Sequence, residues 1–156
     1  MGWFRSLRRA LLGLLLTALV VGGCGIVSTS PPEPTPADFP DLAIALTQRG
    51  LVIDHVVSGD AGCDDPVLVP TAIGLDASGL GQTKPVRLYL YVFRTGEVFE
   101  RLRSTVDTCA RSFVTDEQNF ESIDQSPYVL AGQGPWAPAF EAALRGGLEV
   151  AAGNGG

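Results

Sequence analysis

The sequence predicts an α+β domain: a two-layer, mainly antiparallel sheet of about four strands with two or three helices packed on one face. Three observations predict it. Residues 86–93 (VRLYLYVF) alternate with the period of a strand, Val86, Leu88, Leu90 and Val92 on one side and Arg87, Tyr89, Tyr91 and Phe93 on the other. Residues 96–110 and the stretch from about residue 135 carry their apolar side chains at helical spacing instead. An apolar fraction of 46% over 156 residues is enough for one ordinary core and excludes wholesale disorder.

The elements follow in chain order. Phe39, Leu42, Ala43 and Leu46 recur at helical spacing, with Pro40 suited to a first turn and Gly50 to a stop. Residues 51–57 (LVIDHVV) are β-branched and read as a strand, and residues 59–65 read as a turn. Asp65 before Pro66 caps one helical turn, which Pro70 ends. Residues 71–77 alternate, with Ile73 and Leu75 on one face, and pair with residues 86–93 as a hairpin across the polar loop 78–84. Thr95 caps the next helix, whose stripe is Val98, Phe99, Leu102, Val106 and Cys109. Residues 126–131 form a short strand, which Pro127 confines to a sheet edge or a strand start. The last helix puts Trp136, Phe140, Ala143, Leu144, Leu148 and Ala151 on one side.

Residues 1–23 have a different character. Arg5, Arg8 and Arg9 precede a 12-residue apolar run, residues 10–21 (ALLGLLLTALVV). That run matches a signal-peptide core and falls short of the roughly 20 residues a spanning helix needs. Val21-Gly22-Gly23-Cys24 resembles the lipobox of bacterial lipoproteins. The resemblance implies cleavage before Cys24, a diacylglyceryl (palmitate-bearing) anchor on its sulfur, and a lipid-anchored domain on the extracytoplasmic side of the cell membrane. Residues 24–37 then read as a tether, since five of the ten residues 31–40 are proline and such stretches are stiff and extended. Residues 38–156 form the single globular domain.

Without residues 1–23, 8 basic groups face 17 acidic ones, a net charge of −9. That balance argues against nucleic acid as a partner, because phosphate binding needs a basic face. With Cys24 assigned to lipid, Cys63 and Cys109 remain, and in an oxidising compartment they are expected to form a disulfide. Asp60, Asp64 and Asp65 (GDAGCDDP) are the weak candidates for a metal site, because hard cations want several oxygen ligands and a Gly-containing loop wraps around one. Their other reading is turn formation by Asp60 and capping by Asp65. Gly132, Gly134 and Ala137 follow a strand and open a helix as in a dinucleotide fingerprint, but the second strand and ribose-binding acid that motif requires have no room after them. His55 adjoins Asp54, yet strand neighbours point to opposite faces, so the pair is not an oriented base. Arg87, Tyr89 and Tyr91 form a possible ligand face; the competing reading is the second side of a central strand under a helix.

The second half of the chain (residues 86–93 with SPYVLAGQGPWAPAFEAAL) resembles the small α+β modules of bacterial lipoproteins, a resemblance that supplies no catalytic residues. The function expected is a membrane-anchored, non-catalytic binding or envelope accessory domain, whose partner is an envelope protein or a small molecule. No cofactor is implied. The alternative is a small hydrolase or calcium-dependent enzyme using the Asp60/Asp64/Asp65 turn.

Overall fold

A computed structural model describes residues 38–154. The elements are helix α1 (Phe39–Gln48), strand β1 (Val52–Ser58), a 3₁₀ turn (Val69–Thr71), β2 (Ala72–Gly79), β3 (Gln82–Val92), helix α2 (Gly96–Ala110), a 3₁₀ turn (Glu117–Asn119), β4 (Phe120–Gln125), β5 (Tyr128–Gln133) and helix α3 (Pro138–Asn154). Every pairing is antiparallel and the sheet order is β1-β2-β3-β5-β4. The α+β class expected from the sequence is therefore the class found.

Two expected details differ. The sheet has five strands rather than about four, and its helices divide between both faces rather than lying on one. Leu88, Leu90 and Val92 of β3 join Leu42 and Leu46 of α1 and Phe140, Leu144 and Leu148 of α3 in one buried cluster. Tyr91, on the opposite side of the same strand, and Phe93, just past its end, join Phe99, Val106 and Cys109 of α2 in a second. Both clusters are needed because β3 is apolar on both faces from Leu88 to Val92. A sheet face of that kind must be covered, each fully buried Leu or Phe contributing about 1.5–3 kcal/mol.

Local sequence explains the ends that matter. The Thr95 hydroxyl accepts a hydrogen bond from the Val98 amide, which starts α2 at the expected residue. Close packing of α1 on α3 depends on Gly147, where a Cβ would collide with the Leu46 side chain. The unexpected strand is β4. Among its six residues only Ile123 is fully buried, because β4 is the sheet edge, and its apolar pattern is correspondingly thin. Pro127 lies in the two-residue turn between Gln125 and Tyr128 and so precedes a strand, but that strand, β5, runs inside the sheet between β3 and β4.

Candidate functional site

The second face of β3, continued by Phe93 just past its end, sorts four side chains by cover. Phe93 and Tyr91 are fully buried beneath α2, Phe93 meeting Phe99 edge-on at 6.0 Å between ring centroids. Tyr89, one step further, is half-buried and packs on Phe113, centroids 4.3 Å apart. Arg87 lies past the end of that cover. Of the expected ligand face, Arg87 and Tyr89 thus remain accessible. Tyr91 does not: its hydroxyl donates to the Ala61 carbonyl at 2.8 Å, and it is a core residue.

Burial pushes the Tyr91 phenol up, and the charges of Tyr89 and Asp60 add in the same direction. Tyr128 is raised as well, by burial and then by Asp38. A phenol with a raised folded pKa keeps its proton after the unfolded chain begins to ionise at about pH 10. Above that pH the unfolded state binds fewer protons than the folded one, so stability falls, by about 1.4 kcal/mol per pH unit for one group. Tyr91→Phe should flatten part of this decline, Tyr128 supplying the rest, while losing about 1 kcal/mol at neutral pH with the hydrogen bond. Urea melts across the alkaline range measure both.

Arg87 ties four chain segments together. Its Nη1 donates to the His55 carbonyl at 2.9 Å and to Asp76 Oδ1 at 3.2 Å, and its Nη2 donates to Asp60 Oδ2 at 2.5 Å. The register explains one partner: Asp54, Asp76 and Arg87 stand in one row across β1, β2 and β3. Burial opposes the Arg87 charge, but the hydrogen bonds to Asp60 and Asp76 and the Asp60 charge outweigh it and hold the guanidinium protonated beyond its ordinary range. Next to this group, His55 Nδ1 lies 3.2 Å from Asp76 Oδ2. Asp54 does not orient His55, as expected for strand neighbours; the acid beside the imidazole is Asp76, which was not singled out. A bulge after Asp54, with His55 at φ +47°, breaks the simple alternation and turns the imidazole to the Asp76 side. The imidazole itself is 77% exposed.

The acidic turn does not converge. Asp60 faces Arg87 with one oxygen and accepts the Gly62 amide at 3.0 Å with the other. Asp65 accepts the amides of Val67 and Leu68 at 2.8 and 3.0 Å, the capping role its position suggested. Asp64 points to solvent. Among the described residues no group of three or more His, Cys, Asp or Glu side chains stands close enough to share an ion. Cys63 and Cys109 are brought together as expected, their sulfurs at bonding distance and their Cα atoms 5.6 Å apart. Cys24, the basic leader and the tether lie outside the described residues. No helix among the described residues is long and apolar enough to cross a membrane.

Two hollows flank Tyr89. One, of about 590 Å³, is lined by Asp60, Asp64, Val69 and Ser112. The other, of about 460 Å³, opens between the start of β3 and the turn at Gly134 and Pro135, with Lys84, Pro85, Arg87, Tyr89 and Phe113 on its walls. The polar groups behind this second groove are already engaged. Gln133 Oε1 accepts the Thr115 amide at 2.8 Å. The amides of Trp136 and Ala137 donate to Glu121 at 2.9 Å and Gln82 at 3.1 Å, and that of Gly134 to the Asn119 carbonyl. The amides of the turn at Gly134, Trp136 and Ala137 are therefore taken by the Asn119 carbonyl and the Glu121 and Gln82 side chains, and the turn is no phosphate cradle. Phe113, Gln133, Asp76 and Lys84 were not singled out from sequence; Phe113 and Gln133 come from loops and strand ends whose neighbours only the fold defines. Comparison with protein-family models, curated proteins and solved structures returned no match.

Proposed function

We propose that this chain is a lipid-anchored extracytoplasmic domain that binds a ligand without transforming it, and that the groove beside Tyr89 is its contact surface. The observation that carries the reading is the pairing of the local charges. Arg87 is committed to Asp60 and Asp76, and Gln133 to the turn it braces. What the groove adds to these is ring surface, from Tyr89, Phe113 and Pro85, with the Arg87 guanidinium 5.7 Å from the Tyr89 ring centroid, and one exposed ammonium, Lys84. Rings with a few placed polar groups are a recognition surface. Catalysis needs a nucleophile or base held in reach of a substrate, and Asp60 is not available for that role. The anchor is supported by the sequence of residues 1–24.

Both halves are testable in one bacterial expression strain. Wild-type protein should fractionate with membranes and Cys24→Ser should not, or should accumulate as unprocessed precursor; membrane attachment unchanged in Cys24→Ser removes the anchor. Purified protein screened by NMR against a chemically mixed set of neutral, cationic and anionic envelope-derived compounds should show binding at the amides around Tyr89 and Phe113. Turnover of any compound, with those amides unmoved, would replace binding by catalysis.

A further inference from the structure

We infer that the groove between the start of β3 and the turn at Gly134 and Pro135 selects a small ring-bearing carboxylate, its ring against Tyr89 and Phe113 and its carboxylate at Lys84. The inference rests on the binding reading above and names the ligand class for the same groove. Its origin lies in the sheet. β5 pairs with β3 only from Leu88 onward, at Gly132, so residues 82–87 run beyond their partner on that side and leave a gap. At about 460 Å³ the gap falls in the roughly 300–1,000 Å³ range of small-ligand sites.

Charge sets the class. In a chain with 17 acidic and 11 basic residues, the groove is lined by two cations, Lys84 and Arg87, and by no carboxylate. Arg87 is more than offset by Asp60 and Asp76, one guanidinium between two carboxylates, and offers no charge to a ligand. Lys84, the sole lysine of the sequence, is exposed and forms no ion pair among the described residues. One free ammonium matches a monoanion. A phosphate would call for a guanidinium fork or a set of free backbone amides, and the amides at Gly134, Trp136 and Ala137 are all taken. The rings supply the rest: Tyr89 and Phe113, in contact at 4.3 Å, form a fixed wall for an apolar ring face.

Four probes test this by NMR on the full-length protein: glucuronate and phenylacetate, each against its neutral counterpart, glucose and phenylacetamide. The acids should shift the amides of residues 82–84, 86, 87, 113, 133 and 134 saturably, and the neutral partners should bind more weakly at the same place. Lys84→Ala should weaken the acids by about two- to fivefold, the size of an exposed ion pair, and Lys84→Glu by more, with neither variant changing Tm appreciably. Whichever acid binds more tightly identifies the ring as a sugar or an aromatic. Equal binding of acids and neutral partners, or no effect of Lys84→Ala, overturns the carboxylate and leaves the binding groove standing. If neither acid moves those amides, the inference fails outright. The screen of neutral and cationic compounds then decides separately whether the groove binds anything. An extended peptide shifting the same amides where the acids do not would likewise replace the carboxylate.

Discussion

Cys63→Ala combined with Cys109→Ala is expected to lower the unfolding free energy by roughly 4 kcal/mol and Tm by on the order of 15 °C. The two residues stand 46 apart in sequence, so a bond between them removes a large loop's freedom from the unfolded chain. Against a total stability of about 5–15 kcal/mol, that is a large share. The loss should also have a place. The loop 59–68 is held over the second sheet face by three other ties: Asp60 to Arg87, the Ala61 carbonyl to Tyr91, and Leu68 in the core. Without the bridge, hydrogen exchange in this loop should rise before exchange elsewhere. Reductant added to wild type should bring its Tm to that of the double variant. Free thiols at Cys63 and Cys109 in native material, or a Tm that ignores reductant, would show that no bridge operates.

What was readable in the sequence, and what was not, divides along physical lines. Helix α2 was readable to the residue because its limits are local chemistry: a threonine cap and an apolar stripe. The two-faced cover of β3 was present in the letters VRLYLYVF, since both its sides are apolar beyond Arg87, but which helix covers which side is decided by packing alone. The row Asp54–Asp76–Arg87 was hidden by register. A loop over residues 78–84 leaves pairing undetermined, whereas the strands continue to Gly79 and from Gln82, with an irregularity between Ala77 and Gly79 that shifts the count. The bulge at His55 hid the Asp76 contact in the same way. Cys63 and Cys109 were readable because cysteine count, with the oxidising compartment expected from residues 1–24, constrains them without any geometry. Phe113 was not, because its importance lies in the ring of Tyr89, 24 residues away in sequence.

That ring contact gives the sharpest test of how the groove wall is built. Gly62 sits at φ +73°, and a Cβ there would stand 2.5 Å from Phe113 Cδ1 and 2.8 Å from Tyr89 Cζ. Gly62→Ala therefore meets two costs: about 1–2 kcal/mol for a left-handed alanine, and about 1–3 kcal/mol for displacing well-packed rings. Tyr89 is fixed in a central strand, paired with Gly74 on one side and Ala131 on the other, so Phe113 must give way. Gly59→Ala is the control. It carries a similar φ of +81°, but the nearest atom to its Cβ, the Val69 carbonyl oxygen, lies 3.9 Å off. Gly59→Ala should lose only the backbone part, and the difference between the two variants, read from urea melts, is the ring displacement. Gly62→Ala should also shift the amide of Phe113 and weaken ligands that use the groove, while Gly59→Ala leaves both unchanged. Equal destabilisation by the two alanines would mean that the Tyr89–Phe113 wall yields freely and does not shape the groove.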